Sequence, residues 1–282
     1  MSAPAGRVLI FGASGFLGSR LLALAPSHAE LTGTGGRRPV RPGPWRDFQI
    51  DVTSPTALRS IFERERPGVV FFCAYDSENH LATVDAPVRA AALAAQGGAR
   101  FVFFSTDLVF DGRTGGYKET DRPSPLTAYG AMKADAEVRV RSENPAAVVI
   151  RPSLLVGESG VVLRPAYECD ALQRGQKVTL YRDEWRTPVH VDDVARAAWA
   201  LSSREYSGTF HVAGPDRMSR LELGKLLCAL YGFDVGLIAE GSRPPDRPKD
   251  TSLSCGRSNQ LLGWAPRSVA SLAQRAGRAL GA

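Results

Sequence analysis

The sequence predicts an α/β fold of the Rossmann type, in which a doubly wound parallel sheet carries a smaller, discontinuous C-terminal lobe. Three observations lead to this prediction. Short apolar runs alternate with helix-length segments through the first half of the chain. A glycine turn, Gly12-Ala-Ser-Gly15-Phe-Leu-Gly18, follows the first apolar run. After Arg151 the alternation is lost, and Pro- and Arg-rich loops separate short elements.

Apolar runs, turn residues and caps place the elements in chain order. The predicted strands cover residues 7–11, 30–34, 48–50, 69–72, 100–104 and 147–150. The predicted helices cover residues 16–25, 55–66, with Thr53 or Ser54 as the cap, 84–95, and a segment that carries Tyr129 and Lys133. Residues 188–191, a helix from Asp192 to Ser202 and residues 208–212 then predict a further βαβ unit that returns to the main sheet. Asp192 is expected to be the N-cap of that helix.

Composition excludes several classes of protein. The chain has 282 residues, of which 44% are hydrophobic and 23% charged, as in an ordinary globular protein. No apolar stretch approaches the roughly 20 residues of a membrane span, and the N-terminal segment is too short and polar for a secretory signal. We therefore expect a cytoplasmic protein that contacts no membrane. The net charge of +6 comes from scattered arginines, which favours anionic ligands such as nucleotides over nucleic acid.

No metal site or disulfide framework is expected. The four cysteines are widely spaced and form no Cys-x-x-Cys motif. His190 with Asp192 and Asp193 supplies too few histidines for a typical zinc site. Cys73 follows a buried strand and has no basic neighbour in the sequence that would lower its pKa, so it is not expected to be a nucleophile.

The glycine turn predicts a dinucleotide site, because Gly12, Gly15 and Gly18 lie between a strand and a helix. Glycines permit a tight turn and close approach of the backbone, and the helix N-terminus attracts a pyrophosphate. We therefore assign residues 1–160 and 187–213 to a dinucleotide-binding Rossmann domain. Residues 161–186 and 214–282 are assigned to a substrate-binding lobe.

The end of the second strand indicates which dinucleotide is bound. An acidic residue there suits the ribose of NAD, whereas arginine suits the 2′-phosphate of NADP. The chain has Arg37 and Arg38 at this place and no carboxylate before Asp47. NADP(H) is therefore the preferred cofactor and NAD(H) the alternative. Asp51, after the third strand, is expected to contact the adenine.

Tyr129 and Lys133 are four residues apart and so lie on one face of the predicted helix. A positive charge close to a phenol favours the phenolate and lowers the pKa of the phenol. Such a tyrosine exchanges a proton with a carbinol oxygen. The pair therefore predicts hydride-transfer chemistry, with the nicotinamide supplying the redox step.

Three segments extend the Tyr–Lys motif: Ser105-Thr-Asp-Leu-Val-Phe-Asp-Gly112, Tyr117-Lys-Glu-Thr-Asp121 and Pro125-Leu-Thr-Ala-Tyr-Gly-Ala-Met-Lys133. With them the chain resembles the extended short-chain dehydrogenase/reductase family, and within it the dTDP-4-dehydrorhamnose reductase branch. That branch also includes the NADP-binding regulatory subunit of methionine adenosyltransferase. The resemblance runs from about residue 7 to about residue 275.

The resemblance implies roles for individual residues. Tyr129 would donate the proton to the substrate carbonyl, Lys133 would bind the nicotinamide ribose and tune Tyr129, and Thr106 would orient or polarise the carbonyl. The full set expected to bind the cofactor is Gly12, Ser14, Gly15, Phe16, Leu17, Arg37, Arg38, Asp51, Val52, Cys73, Ala74, Tyr75, Tyr129, Lys133, Pro152 and Ser153. The set expected to bind substrate is Thr106, Asp107, Leu108 and Leu154.

These roles predict a reductase of a nucleotide-linked 4-keto sugar, and the resemblance is compatible with a homodimer. Two alternatives stay open: a nucleotide-sugar epimerase or dehydratase with bound NAD, and a regulatory NADP-binding subunit without turnover. Leu108 and Leu154 stand where the resembling reductases commonly have tyrosine and tryptophan. Because two aromatic surfaces are missing, we expect the substrate to be a more deoxygenated or otherwise modified 4-keto sugar and not the rhamnose precursor.

Overall fold

A seven-stranded sheet organises the chain. The computed structural model describes residues 6–157, 167–203 and 205–271. Within them the sheet has the strand order β11-β6-β5-β4-β1-β2-β3, and every neighbouring pair is parallel. Helices cover both of its faces. The predicted α/β fold with a doubly wound parallel sheet is confirmed.

The strands of the described residues are β1 (Gly6–Phe11), β2 (Ala29–Gly35), β3 (Arg46–Gln49), β4 (Val69–Phe72), β5 (Arg100–Phe104), β6 (Val148–Pro152), β7 (Leu155–Val156), β8 (Val178–Tyr181), β9 (Trp185–Arg186), β10 (Val189–His190), β11 (Gly208–Val212), β12 (Met218–Ser219) and β13 (Ile238–Gly241). The α-helices are α1 (Phe16–Ala23), α2 (Pro55–Glu65), α3 (Ala86–Gln96), α4 (Ala128–Glu143), α5 (Tyr167–Gln173), α6 (Val191–Leu201), α7 (Arg220–Tyr231) and α8 (Gly256–Leu262). A π-helical turn (Leu81–Asp85) precedes α3, and 3₁₀ turns cover Asp107–Val109 and Val235–Leu237.

The central strands are apolar on both faces because both faces are covered. In β1, Val8 and Ile10 belong to the core shared with α1 and α6, whereas Leu9 and Phe11 belong to the core shared with α2, α3 and α4. This division follows from the two-residue period of a strand. Trp199 of α6 donates from its indole to the Leu21 carbonyl of α1 at 3.1 Å, which ties the two helices of the first face together.

Only the second strand of the predicted βαβ unit returns to the main sheet: β11 pairs with β6 over five residues, whereas β10 pairs with β7 outside that sheet. Three small sheets lie outside the seven-stranded sheet, formed by β7 with β10, β9 with β12, and β8 with β13. The proposed domain boundary at 160/161 lies outside the described residues, as do residues 1–5 and 272–282 of the assigned domains. The division into a Rossmann domain and a substrate-binding lobe stays a prediction.

Helix starts are set by caps, and one predicted cap is wrong. Ser54 caps α2 by accepting from the Ala57 amide at 3.2 Å, in agreement with one of the two expected residues. At α6 the cap is His190, whose Nδ1 accepts from the Asp192 amide at 3.2 Å. Asp192 therefore lies inside the first turn, where its carboxylate pairs with Arg20 of α1. Asp192 is still favourably placed for the helix dipole, because its negative charge lies in the first turn of α6 even though it is not the N-cap.

Among the described residues, no helix combines the length and the apolar character that crossing a bilayer requires.

A buried ion pair connects α4 to the sheet. Arg151 of β6 donates to both carboxylate oxygens of Glu137, at 2.9 Å and 2.6 Å, and a third guanidinium nitrogen lies 3.4 Å from Nε2 of His211 on β11. Arg151 and Glu137 are both buried. Removing one charge of such a pair leaves the other unpaired away from water.

We expect Glu137→Ala to lower the free energy of unfolding by about 3 kcal/mol, because it strands the Arg151 guanidinium. The double variant Glu137→Met/Arg151→Met should recover most of that loss, since it removes both charges and keeps apolar volume. Urea unfolding followed by circular dichroism measures both. A loss below about 1 kcal/mol in the single variant would show that water reaches the pair.

Candidate active site

The glycine turn after β1 has the geometry of a phosphate cradle. Gly12 has φ 78°, and a Cβ there would lie 2.7 Å from the Ala74 backbone nitrogen, so only glycine lets the ends of β1 and β4 meet. A Cβ at Gly18 would lie 2.2 Å from the Gly12 carbonyl oxygen, which fixes α1 against the turn. Gly15 is the N-cap of α1, and no side chain caps that helix. The N-terminal amides of α1 thus fit the pyrophosphate of a dinucleotide.

The other predicted residues of this turn are divided by burial. Ser14 and Phe16 are half-buried, whereas Leu17 is buried in the core beneath α1. Leu17 can therefore meet a cofactor only through its backbone. The binding roles of these residues stay predictions.

Arg37 and Arg38 are exposed after β2, where a 2′-phosphate is expected. Arg37 is 92% exposed and donates to the Asp76 carboxylate at 3.0 Å. Asp76 follows β4 and is the feature that sequence reasoning missed here. An arriving phosphate must compete with this carboxylate for Arg37.

Asp51 and Val52 follow β3. The Asp51 carboxylate accepts from the amide and the hydroxyl of Thr53, at 2.9 Å and 2.7 Å, and these bonds lower its pKa. Val52 is half-buried against the core that underlies α2. The structure brings neither residue into contact with the Tyr–Lys pair, and their role toward adenine stays a prediction.

Tyr129 and Lys133 lie in the first turns of α4. Thr127 caps this helix by accepting from the Gly130 amide at 3.1 Å. A Cβ at Gly130 would lie 2.1 Å from the Leu108 carbonyl oxygen, so the helix begins in close contact with the loop that follows β5. Lys133 is 2% exposed and donates from Nζ to the Phe104 carbonyl at 2.8 Å, where β5 ends.

The expectation that Lys133 lowers the pKa of Tyr129 is wrong for this structure. Burial raises the pKa of Tyr129 above its ordinary value, and Tyr75 and Asp107 add to the rise. The cation that opposes them is Arg186. Burial also lowers the pKa of Lys133 to about 8, against the nearby Cys73 and Glu137, which raise it. Burial beside β5 thus makes the charged form of Lys133 easier to deprotonate than that of an exposed lysine.

Cys73, Ala74 and Tyr75 follow β4 directly. The expectation that Cys73 has no basic neighbour is wrong, because Lys133 lowers the pKa of its thiol; burial raises that pKa by more, so the thiol stays protonated. Ala74 adjoins Gly12, as described above. The Tyr75 ring is 59% exposed; its centroid lies 5.6 Å from that of Tyr129 and 5.3 Å from Nζ of Lys133.

A buried polar cluster lies where β5 and β6 end. Asp107 accepts from the hydroxyls of Ser153 and Thr106, at 2.7 Å and 3.2 Å, and from Arg186 Nε at 2.7 Å. Pro152, beside Ser153, is also buried. Sequence reasoning missed Arg186: it is 79 residues from Asp107 along the chain and belongs to no motif.

The two leucines of the predicted substrate set differ in position. Leu108 is half-buried, and its amide donates to the Thr106 hydroxyl at 3.2 Å. Leu154 packs against an apolar cluster that includes Val156 and Leu223 of α7. The structure therefore brings Leu108 to the Tyr–Lys end of the sheet and holds Leu154 toward α7.

Most of the predicted site residues thus meet at one edge of the sheet. The strands β6, β5, β4 and β1 are adjacent, and their carboxyl ends carry Ser153, Thr106, Tyr75 and Gly12 in that order. Ligands of such sheets bind outside the carboxyl ends of the strands. A phenol, a buried ammonium and a hydroxyl beside a phosphate cradle can together bind a dinucleotide and move a proton to a carbonyl oxygen.

Comparisons with known proteins identify the family of this chain. The family model described as "RmlD substrate binding domain" matches residues 6–276. The "Probable low-salt glycan biosynthesis reductase Agl14" of Haloferax volcanii is 30% identical over 276 residues, which cover 90% of this chain and 91% of that protein. The methionine adenosyltransferase 2 subunit beta of Bos taurus is 30% identical over 282 residues, which cover 92% of this chain and 83% of that protein. The crystal structure of a dTDP-4-dehydrorhamnose reductase from Clostridium acetobutylicum superimposes with a TM-score of 0.79 at 25% identity, and the match covers 98% of this chain and 100% of that chain.

We expect Lys133 to titrate near pH 8 in the cofactor-free protein, because burial disfavours its charged form. The chain has only five lysines, and Lys133→Arg assigns the resonance. ¹³Cε NMR across pH 6–11 gives the midpoint, with Lys118, an exposed residue, as the internal reference. A Lys133 midpoint above about pH 10 would contradict the buried position of the ammonium.

Proposed function

Because the chain belongs to the RmlD-like branch of the extended short-chain dehydrogenase/reductase family, we propose that it is an NADP-preferring reductase of a nucleotide-linked 4-keto sugar. The family fixes the enzyme class, an NAD(P)-dependent oxidoreductase that acts on a CH–OH or C=O group. The cofactor preference and the sugar belong to the proposal.

The observation that carries the proposal is the position of Tyr129 and Lys133. Both lie on the first turns of α4, and Lys133 is hydrogen-bonded to the last residue of β5. Thr106 is the second residue beyond that strand. A carbonyl oxygen held between Tyr129 and Thr106 would accept from two hydroxyl groups, which is the arrangement that stabilises a developing alkoxide.

Each residue has a task in this reaction. The nicotinamide, when bound, supplies the hydride. Tyr129 donates its phenolic proton to the carbonyl oxygen, and its raised pKa keeps that proton in place at neutral pH until the alkoxide forms. Thr106 orients the same oxygen by a hydrogen bond. Lys133 holds a positive charge at the end of β5, where we expect it to bind the nicotinamide ribose.

Arg37 and Arg38 support NADP(H) over NAD(H). They are exposed where β2 ends, and no residue from Thr34 to Val40 carries a carboxylate. A guanidinium group binds phosphate through paired charge-assisted hydrogen bonds. The Asp76 carboxylate accepts from Arg37, so the 2′-phosphate of NADP must displace Asp76 in order to bind Arg37.

The substrate is proposed to be a nucleotide sugar poorer in hydroxyl groups than the rhamnose precursor. Leu108 lies beside Thr106 and offers an apolar surface without a hydrogen-bonding group. A pocket without such a partner discriminates weakly for the hydroxyl that it would have bound.

One alternative has its own support. The similarity to the beta subunit of methionine adenosyltransferase 2 favours a subunit of a larger assembly, and the alternative is therefore an NADP-binding regulatory subunit without turnover. An epimerase or dehydratase with bound NAD is the other interpretation of the same Tyr–Lys pair.

A homodimer, the absence of nucleic-acid binding and a cytoplasmic location stay predictions.

The proposed function is tested by a panel of nucleotide-linked 4-keto sugars, with loss of NADPH absorbance as the signal. The panel includes the rhamnose precursor and a 2,6-dideoxy 4-keto analogue. We expect turnover, with the higher kcat/KM for the dideoxy compound. Tyr129→Phe should abolish turnover and leave NADPH binding close to wild type, because it deletes the proton donor and keeps the ring.

Three outcomes contradict parts of this proposal. Full activity of Tyr129→Phe would exclude Tyr129 as the proton donor. A clear preference for the rhamnose precursor would exclude the proposed substrate. NADPH binding without turnover across the panel would favour the regulatory alternative.

We expect Arg37→Ala/Arg38→Ala to weaken NADPH binding at least about 10-fold and NADH binding much less, because only NADPH loses a phosphate contact. Asp76→Asn is the matched control: it frees Arg37 and should tighten NADPH about twofold, in keeping with the small contribution of an exposed ion pair. Fluorescence titration of both cofactors measures the effects. Equal losses for NADPH and NADH would assign the arginines a general charge effect and favour NAD.

A further inference from the structure

The polar cluster at the ends of β5 and β6 contains a bidentate ion pair that the reaction described above does not use. Asp107 is 1% exposed, and Arg186 donates to both of its carboxylate oxygens, from Nε at 2.7 Å and from a terminal nitrogen. Arg186 is itself 5% exposed. With Ser153 and Thr106 as further donors, both carboxylate oxygens are already engaged within the protein. Asp107, expected to bind substrate, thus has the geometry of a group that acts through its neighbours.

Arg186 reaches this cluster from outside the main sheet. It lies on β9, which pairs antiparallel with β12. The preceding Trp185 is fixed by two backbone hydrogen bonds to a distant segment of the chain. Its amide donates to the Lys249 carbonyl at 2.7 Å, and its carbonyl accepts from the Thr251 amide at 3.1 Å. A guanidinium carried by one small sheet is therefore fixed against a carboxylate in the 3₁₀ turn that follows β5 of the main sheet.

The pair bears on the Thr106 hydroxyl. Thr106 donates to Asp107 Oδ1 at 3.2 Å, a long bond to an oxygen that also accepts from Arg186. Without the guanidinium, the unpaired carboxylate would attract the Thr106 proton more strongly, since a buried carboxylate needs donors. The hydroxyl would then be unable to donate to a substrate carbonyl.

The pair also bears on Tyr129. Asp107 raises the pKa of the phenol and Arg186 lowers it, after the larger rise caused by burial. The two charges therefore oppose each other at the proton donor. The other ionisable groups around the phenol and the pair are Tyr75 after β4, Lys133 on α4, Cys73 and Glu137 beside Lys133, Glu184 at 3.8 Å from Arg186, and Arg247 at 2.9 Å from Glu184.

We propose that Arg186 is a positioning residue for the reduction: by fixing and neutralising the Asp107 carboxylate, it weakens the hydrogen bond from the Thr106 hydroxyl to that carboxylate, so that the hydroxyl can turn to the substrate, and it balances the charge beside Tyr129. This inference rests on the proposed reductase function. Segment 184–187, which belongs to no motif of the sequence, would then contribute to catalysis through Arg186.

The test compares four variants on the most active sugar of the panel. Arg186→Lys keeps the charge and loses the fork, and should lower kcat about 10- to 100-fold with little change in NADPH binding. Asp107→Asn leaves Arg186 unopposed and should move the pH profile of kcat toward lower pH. Asp107→Asn/Arg186→Met removes both charges, so its profile should return toward that of wild type while kcat stays low. Arg20→Met breaks the ion pair with Asp192 away from this cluster and should leave the profile in place.

A structural role alone predicts a different pattern, in which all four variants lose thermal stability and none moves the pH profile. That pattern, or wild-type kcat in Arg186→Lys, would overturn the inference. Failure of wild type to reduce any sugar overturns the proposed function instead. In that case ¹³Cζ NMR of Tyr129, assigned with Tyr129→Phe, decides the charge balance without substrate: the phenol should ionise at lower pH in Asp107→Asn, and an unchanged titration would overturn the inference.

Discussion

The constraint on which this structure depends is that its parallel sheet is covered on both faces. Beyond their first residues, strands β1, β4 and β5 must then be apolar, and residues 8–11, 69–72 and 101–104 are all buried. On these strands, polar groups that serve chemistry can appear only where a strand ends, and Tyr129 and Lys133 reach the same edge from α4. The adjacent ends of four strands therefore collect the glycine turn, Tyr75, Thr106 and Ser153 at one edge. The site is a consequence of the way the core is closed.

Burial then sets the electrostatics of that edge. The Lys133 ammonium is almost fully enclosed, and burial brings its pKa to about 8. Burial also raises the pKa of the Tyr129 phenol, because it disfavours the charged phenolate. Because water screens little here, one carboxylate or one guanidinium has a large effect, and the pair formed by Asp107 and Arg186 supplies one of each. Charge is thus controlled by side chains beside the Tyr–Lys motif as much as by the motif.

Local patterns predicted the elements and the motifs well, because their causes are local. The apolar run before Gly12 and the spacing of Tyr129 and Lys133 specify a strand, a turn and a helix face without reference to the rest of the chain. Contacts between distant segments were not predictable in the same way. Arg186 meets Asp107 across 79 residues, and no periodicity marks it. The predicted cap of α6 was wrong for a related reason. The Asp192 carboxylate pairs with Arg20 of another helix, and His190 accepts from the backbone amide in its place.

The backbone bonds of Trp185 have a consequence for how this protein can diverge. They fasten β9 to residues 249–251, directly after the Pro- and Arg-rich stretch 241–249. Insertions or deletions in that stretch would shift Arg186 and thus disturb the cluster beside Tyr129, the proposed proton donor. Under the proposed mechanism, sequence drift there is coupled to the chemistry, although none of its residues lies on the main sheet. A change of substrate acquired through this stretch would have to preserve the register at Trp185, which leaves fewer evolutionary routes than an exposed loop ordinarily has.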